Sequence, residues 1–134
     1  MVARYAAEME AEGWGLWAVE VAGGPRFVGM TGLHRVNPQL PCAPAVEIGW
    51  RVSPDHWGHG YATEAALAAL HVGFTEGALS EIVAFTTTLN TRSQQVMRRI
   101  GMARDPQGDF DHPSVPFGSP LRRHVLFRIQ SPSL

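Results

Sequence analysis

The spacing of apolar residues along the chain predicts alternating strands and helices. Between residues 45 and 52, Val46, Ile48 and Trp50 fall on one face of an extended segment, and Glu47 and Arg51 fall on the other. This alternation predicts a strand with one buried face. A segment rich in β-branched and aromatic residues predicts a strand over 81–88, alternation predicts one over 121–130, and a hairpin is predicted from strands over 16–21 and 27–33.

Three segments predict helices. Apolar residues recur at helical spacing through residues 61–76, on a face made mostly of alanine that allows close packing on a sheet. Residues 1–12 are rich in good helix formers, and Gly13 is placed to end that helix. Asn90 is placed to cap a short helix that Gly101 ends.

Glycine and proline mark the connections between these elements. They predict a tight turn at 23–25, a loop over 37–44 and a long loop, or a loop with a fragmentary strand, over 105–120. The predicted elements follow in the order β-β-β-α-β-α, with a final strand. We therefore expect a mixed α/β fold in a single domain that spans residues 1–134.

Composition narrows the possible functions. The chain has 134 residues, 45% of them hydrophobic, and a net charge of -1 without a basic run, which argues against a nucleic-acid-binding groove. Its eleven cationic residues are all arginine. The single cysteine, Cys42, excludes an internal disulfide, and no segment has the length and apolarity of a membrane span. We expect a cytoplasmic protein that partners neither nucleic acid nor membrane.

The most informative segment joins a glycine-rich turn to the start of the helix over 61–76. Gly58 and Gly60 allow the backbone to approach an anion closely, and the N–H groups at a helix start can hold a pyrophosphate without a lysine. The same glycines would suit a plain turn that caps the helix. A Rossmann motif would need a third glycine, and a P-loop would need a lysine, which the chain lacks.

Two motifs follow this turn and one precedes it. They are Glu47-Ile48-Gly49-Trp50-Arg51 before the turn, then Asn90-Thr91-Arg92-Ser93 and Val96-Met97-Arg98-Arg99-Ile100-Gly101-Met102 after it. Their order resembles the GNAT N-acetyltransferases, in particular the ribosomal-protein N-terminal acetyltransferases (RimJ/RimL type). The family pattern Arg/Gln-x-x-Gly-x-Gly/Ala is met at Gly60 and Ala62, while Trp57 occupies the position of the Arg or Gln.

The resemblance implies the GNAT acyltransferase fold, with a mostly antiparallel central sheet and one splayed parallel strand pair. The strand and helix that usually begin this fold have no counterpart here, so we expect either a short start or a neighbouring chain that completes the edge. The resemblance also implies acetyl-CoA as co-substrate. By this resemblance the coenzyme-binding residues are Ile48, Trp50, Val52, Trp57, Gly58, His59, Gly60, Tyr61, Ala62, Thr63, Asn90 and Ser93.

Acetyl transfer by direct attack needs a neutral amine and a route for protons. Glu47 is the candidate general base, through a water, although it could instead be a structural carboxylate paired with Arg51. Ser93 is the candidate general acid by the resemblance, and His124 is an outside candidate. Many relatives use a late tyrosine, and Phe127 stands where one would be sought. A thiolate leaves readily enough that no acid is required.

The acceptor is expected to be a small-molecule or peptide amine, including a protein N-terminus. The loops over 37–44 and 105–120 are expected to face it, and Asp109, Phe110, Asp111 and His112 either meet it or only shape the turn.

Several alternatives remain beside this prediction. The histidines are interpreted as solvated loop side chains, or for His59 as a neighbour of a phosphate, because a zinc site usually needs more ligands of suitable spacing, so no metal is expected. The rival function is a non-catalytic acyl-CoA-binding or interaction protein of the same fold. In either case an uncovered sheet edge favours a homodimer.

Overall fold

The structure is a computed structural model that describes residues 8–9, 15–20 and 28–132. Its strands are β1 (Glu8–Met9), β2 (Gly15–Val19), β3 (Gly29–Arg35), β4 (Val46–Val52), β5 (Glu81–Thr87), β6 (Ala103–Arg104), β7 (Phe110–Asp111) and β8 (Arg123–Gln130). Its α-helices are α1 (Tyr61–Thr75) and α2 (Thr91–Arg99). Single 3-10 turns lie at Pro54–His56 and Pro106–Gly108. No helix among these residues is long and apolar enough to cross a membrane.

The chain divides into two compact units. The first lies within Met1–His34 and Ile48–Ser80, and the second comprises Arg35–Glu47 and Glu81–Leu134. Strand β4 belongs to both, because its first two residues fall in the second unit and its last five in the first.

Antiparallel pairing builds the sheet of the first unit. Strand β1 pairs with β2, and β2 pairs with β3 in a register that places Trp17 opposite Thr31. The Thr31 hydroxyl donates a hydrogen bond to the carbonyl oxygen of Gly49 at 3.0 Å, which joins β3 to β4. The strands predicted over 16–21, 27–33 and 45–52 are thus confirmed within the described residues.

The predicted helix over 1–12 is wrong at Glu8–Met9, which form strand β1. Pairing with Leu16 and Gly15 of β2 overrides the weak helix preference of these residues. The remainder of that helix, Gly13 and the predicted turn at 23–25 lie outside the described residues.

Helix α1 follows the predicted range closely. It packs through small side chains, and Ala65 lies in a core cluster with Val19, Val28 and the half-buried Tyr61. Small residues allow the helix axis to approach its neighbours closely. The buried positions of the helix are Ala65, Ala66, Ala69, Leu70 and Gly73.

The second unit contains the parallel strand pair that the fold class requires. Glu47 of β4 lies opposite Val83 of β5 in a parallel register, and β5 pairs antiparallel with β8 along its full length. The short strands β6 and β7 also pair antiparallel with β8. The mixed α/β fold with a mostly antiparallel sheet and one parallel pair is therefore confirmed, and the segment over 105–120 contains the fragmentary strand β7.

The two faces of this sheet pack differently. One face carries a core cluster that includes Val83, Phe110 and Leu126. The other carries Phe127, which is fully buried and has the Arg98 guanidinium of α2 at 5.3 Å from its ring centroid. Helix α2 ends before Gly101, whose φ of +94° confirms the predicted left-handed termination.

Candidate functional site

The turn before α1 adopts a backbone that glycine favours. Gly58 and Gly60 have φ angles of +87° and +76°, and Gly60 is the N-cap of the helix. Among the described residues, and apart from the adjacent ones in the chain, no atom lies within 4 Å of a Cβ added at either position. The space outside this turn is therefore open to a ligand.

The first turn of α1 directs amide donors without an intrahelical acceptor toward its N-terminus. The amide of Glu64 donates to the Gly60 carbonyl at 3.0 Å, which is the first bond of the helical ladder. Gly60 has no side chain with which to cap the amides ahead of it. The three first-turn amides are those of Tyr61, Ala62 and Thr63. Together with the helix dipole, they give this turn the character of an anion-binding site.

Aromatic side chains flank the same turn. The Trp57 indole N–H donates to the carbonyl oxygen of Val52 at 2.8 Å, which ties the turn to the end of β4. The His59 and Tyr61 rings stack with their centroids 5.2 Å apart. Trp57, at the position of the family's Arg or Gln, therefore has a structural contact of its own.

Strand β4 carries three of the predicted coenzyme-binding residues into the first unit. Ile48 is buried, and Trp50 and Val52 are half-buried. The end of this strand is held by an approach that the sequence analysis missed, since a Cβ on Gly29 would lie 2.0 Å from the Arg51 carbonyl oxygen. Only glycine fits there.

Asn90 and Ser93 lie together in the second unit, at the start of α2. The Asn90 side-chain oxygen accepts a hydrogen bond from the Ser93 amide at 3.1 Å, which confirms the predicted N-cap. Gln94 was missed, and its buried side chain donates to the Thr88 carbonyl at 3.1 Å. A polar residue on the inner side of a short helix is the signal that would have found it.

The candidate base Glu47 shares a sheet face with His124. Glu47 lies opposite Val83, and Thr87 of the same strand lies opposite His124. Val83 and Thr87 are four residues apart in β5, so their side chains, and those of their partners, project from one face. The structure therefore places Glu47 and His124 on one side of the second unit's sheet.

His124 is buried and holds a defined ring orientation. Its Nδ1 lies 3.0 Å from the Arg122 carbonyl oxygen, which can only accept a hydrogen bond, so Nδ1 carries the proton. Burial lowers the pKa of the imidazole below its ordinary value and His112 adds to this, while the Arg122 carbonyl and the Glu47 charge oppose it.

Within the segment over 105–120, the contacts of three residues favour the alternative in which they shape the turn. Phe110 is buried in the core rather than presented to a substrate, because β7 pairs with β8 and brings its ring to 5.5 Å from that of His124. Asp109 pairs with Arg104 at 2.5 Å, and Asp111 lies 3.5 Å from Arg123. These two carboxylates hold local structure in the loop.

Two further residues, Cys42 and Phe127, are poorly suited to catalysis. Burial raises the pKa of the Cys42 thiol, which disfavours the nucleophilic thiolate. Phe127, at the position where a tyrosine was sought, lies on the opposite sheet face from His124 and has no proton to donate. In the part of the chain that the structure describes, no three His, Cys, Asp or Glu side chains form a group suited to a metal ion.

Comparison with protein families decides the family of this fold. The model of the "Acetyltransferase (GNAT) domain" matches residues 1–103, a range that includes β4, the glycine turn, α1 and α2. The chain belongs to the GNAT acetyltransferase family. Within the family, the RimJ/RimL type is not distinguished by this match.

Individual relatives agree with the GNAT assignment. The chain is 32% identical over 133 residues to the FsC-acetyl coenzyme A-N(2)-transacetylase of Aspergillus fumigatus, covering 91% of this chain and 56% of that protein. An acetyltransferase (GNAT family) from Bacillus anthracis is similar in structure, with a TM-score of 0.71 and 32% sequence identity. The match covers 87% of this chain and 66% of the Bacillus anthracis chain. The chain thus spans about half the length of the Aspergillus fumigatus protein.

A more distant structure supports the GNAT fold alone. The Salmonella typhimurium protein yncA, solved with its cofactor acetyl-CoA, has a TM-score of 0.72 at 17% identity, over 92% of this chain and 68% of that one.

The Asn90 cap yields a prediction about the stability of the protein. Asn90→Ala is expected to lower the free energy of unfolding by about 1 kcal/mol, because the Ser93 amide loses its acceptor. Asn90→Asp keeps an acceptor oxygen but removes the side-chain N–H donors, so stability should be retained. Chemical denaturation of both variants measures this. Equal destabilisation by the two substitutions would contradict the capping role.

Proposed function

We propose that this GNAT domain transfers an acetyl group from acetyl-CoA to a primary amine. The observation that carries the proposal is the pair of left-handed glycines, Gly58 and Gly60, at the N-terminus of α1 directly after β4. Open space outside these glycines and a first helical turn of amides without intrahelical acceptors fit a diphosphate. The turn lies inside the segment that matches the family.

The first unit supplies the residues for the coenzyme's phosphates and acyl arm. We assign the phosphates to the backbone from Gly58 to Thr63, with Trp57 fixing that backbone against β4. The backbone of Ile48, Trp50 and Val52 is assigned to the acyl-bearing arm, where preorganised N–H groups stabilise the developing charge on a carbonyl oxygen. In the second unit, the Asn90 amide and Ser93 are assigned to the coenzyme.

The chain's own side chains handle the protons. Glu47 receives a proton from the acceptor ammonium through a water, which leaves a neutral amine for direct attack. An α-amine, with a pKa of about 8, is far easier to neutralise than a lysine at about 10.4. Ser93 is the proposed donor to the departing thiolate, although a thiol of pKa near 8.5 is a tolerable leaving group without one.

The acceptor is proposed to be an exposed α-amine of a peptide or protein, in the manner of the RimJ/RimL type. Small amines form the second class, since the Aspergillus fumigatus relative is named for transfer to an N(2) nitrogen. A homodimer and a cytoplasmic location stay predictions.

Calorimetric titration with acetyl-CoA tests the binding step. Free CoA and NAD serve as comparison ligands, and the proposal expects binding of both CoA species and none of NAD. Absence of acetyl-CoA binding would overturn it.

Thiol release tests the transfer step. Acetyl-CoA is incubated with the protein and a panel of peptides with free or blocked N-termini, together with a diamine and a polyamine. Thiol should appear only with acceptors that carry a free amine. Tight binding with no thiol release from any acceptor would instead support the non-catalytic acyl-CoA-binding protein.

A further inference from the structure

Four aromatic rings meet on the sheet face that carries Glu47. The rings of His112 and His124 have centroids 5.0 Å apart, and Phe85 and Phe110 contact both histidines. Phe85 and Phe110 also meet edge to face at 5.3 Å. We call these four residues the histidine cluster. The phenylalanines pack two imidazoles into a largely apolar setting.

Hydrogen bonds give the two histidines complementary ring nitrogens. The Arg122 carbonyl oxygen accepts from both the His112 amide, at 2.8 Å, and His124 Nδ1, at 3.0 Å. Because Nδ1 of His124 carries the proton, Nε2 of the neutral ring holds a lone pair. His112 Nδ1 accepts from the Ser114 amide at 3.1 Å, so its neutral ring carries the proton on Nε2. Of the two neutral rings, His124 is therefore the one whose Nε2 can accept a proton.

The surroundings of His124 favour a neutral ring that a carboxylate can help to charge. Its titratable and charged neighbours are Glu47 of β4, His112 after β7, and Arg122 and Arg123 beside it in the chain, with Arg123 facing Asp111. Strand β5 contributes only uncharged Phe85 and Thr87. Burial lowers the pKa of His124, while Glu47 favours the imidazolium. A neutral imidazole with a lone pair on Nε2 and a carboxylate nearby can serve as a proton acceptor.

We propose that His124 is a second proton acceptor of the acetyl transfer, acting through Nε2 on the sheet face that carries Glu47. This inference rests on the proposed function and deepens it. The exposed fraction of His124 is 8%, so a small part of the residue remains accessible. His124 thereby takes the opposite role from the acid that the sequence first suggested.

The reaction gives such a group a defined task. The acceptor enters as an ammonium ion and leaves as an amide, so its nitrogen loses two protons while one N–C bond forms and the C–S bond of the thioester breaks. The electron pair of the C–S bond stays on sulfur, and the thiolate takes up one proton. One proton is released to solvent. Glu47 accepts the first proton and His124 Nε2 accepts the second.

Two substitutions remove the Nε2 lone pair in different ways. His124→Asn keeps a donor where Nδ1–H bonds the Arg122 carbonyl, and His124→Phe keeps a ring against Phe110. Both are expected to lower kcat by about 100-fold, in the range typical of a lost general base. Both should leave the acetyl-CoA Kd unchanged. His71→Gln, at an exposed position of α1, is the matched control and should keep wild-type kcat.

The pH profile supplies a readout that a structural role would not move. Wild-type kcat should fall as pH drops and His124 becomes protonated, and this acid limb should disappear or shift in the His124 variants. In the wild-type protein, nitrogen NMR should find the His124 proton on Nδ1 at neutral pH. A proton on Nε2 overturns the proposal even if neither variant folds.

The outcomes separate this proposal from the proposed function. Folded His124 variants with wild-type kcat and an unchanged pH profile overturn the role of His124 and leave the acetyltransferase intact. If the wild-type protein binds acetyl-CoA but releases no thiol with any of the amines tested, both the transferase function and the role of His124 in it are overturned.

Discussion

Gly60→Ala is expected to weaken acetyl-CoA binding by about 10- to 100-fold, equivalent to about 1.4–2.7 kcal/mol. The added Cβ enters the open space outside the turn, where the coenzyme's phosphates must approach the first-turn amides of α1. The left-handed backbone at φ +76° adds a conformational strain of about 1–2 kcal/mol. Calorimetric titration gives the affinity, and thermal unfolding gives the stability.

Gly118→Ala is the matched control for this substitution. Gly118 has φ +81° and, like Gly60, no atom of a described residue beyond its chain neighbours within 4 Å of an added Cβ. It should carry a similar strain without any loss of acetyl-CoA affinity. If both variants lose affinity equally, strain in the fold rather than contact with phosphate explains the effect, and the assignment of the turn is wrong.

Gly29→Ala is expected to lower the free energy of unfolding by about 3 kcal/mol. The new Cβ would lie 2.0 Å from the Arg51 carbonyl oxygen and 2.8 Å from the Val52 Cα, both backbone atoms that cannot rotate away. The start of β3 must therefore separate from the end of β4. The amide of Ser53, which donates to the Val28 carbonyl at 2.8 Å, would be strained as well. Urea denaturation measures the loss.

Gly49→Ala tests whether this cost comes from the close approach or from altering a strand glycine. Gly49 lies in β4, where an added Cβ meets no atom within 4 Å in the described part of the chain beyond its own neighbours, and its carbonyl still accepts from Thr31. Such a substitution should be neutral or stabilise by up to about 1 kcal/mol, since alanine restricts the unfolded chain. A Gly29→Ala protein as stable as Gly49→Ala would show that β3 and β4 are farther apart than the structure has them.

The sequence predicted the local elements well because their signals are local. The alanine face of α1, the Asn90 cap and the Gly101 termination each depend on residues within a few positions of one another. The glycine turn was found for the same reason, since Gly58 and Gly60 act on their own backbone.

The missed features depend on partners distant in sequence. Gly29 is required because Arg51 passes beside it, and no pattern within either strand reveals that approach. The sequence leaves open whether Phe110 meets the acceptor or shapes a turn, because its neighbours are turn formers, and pairing of β7 with β8 buries it. The strand at Glu8–Met9 likewise depends on β2, against the helix preference of its own residues.

The indole of Trp57 has a consequence for how the turn responds to ionic strength. Residues 57–63 contain neither arginine nor lysine. At the position where the family has Arg or Gln, the chain has Trp57, whose indole N–H donates to the Val52 carbonyl. An anion at this turn is held by amide dipoles at close range, which dissolved ions screen much less than they screen a pair of exposed opposite charges. The affinity of this turn for a diphosphate should therefore change little in concentrated salt.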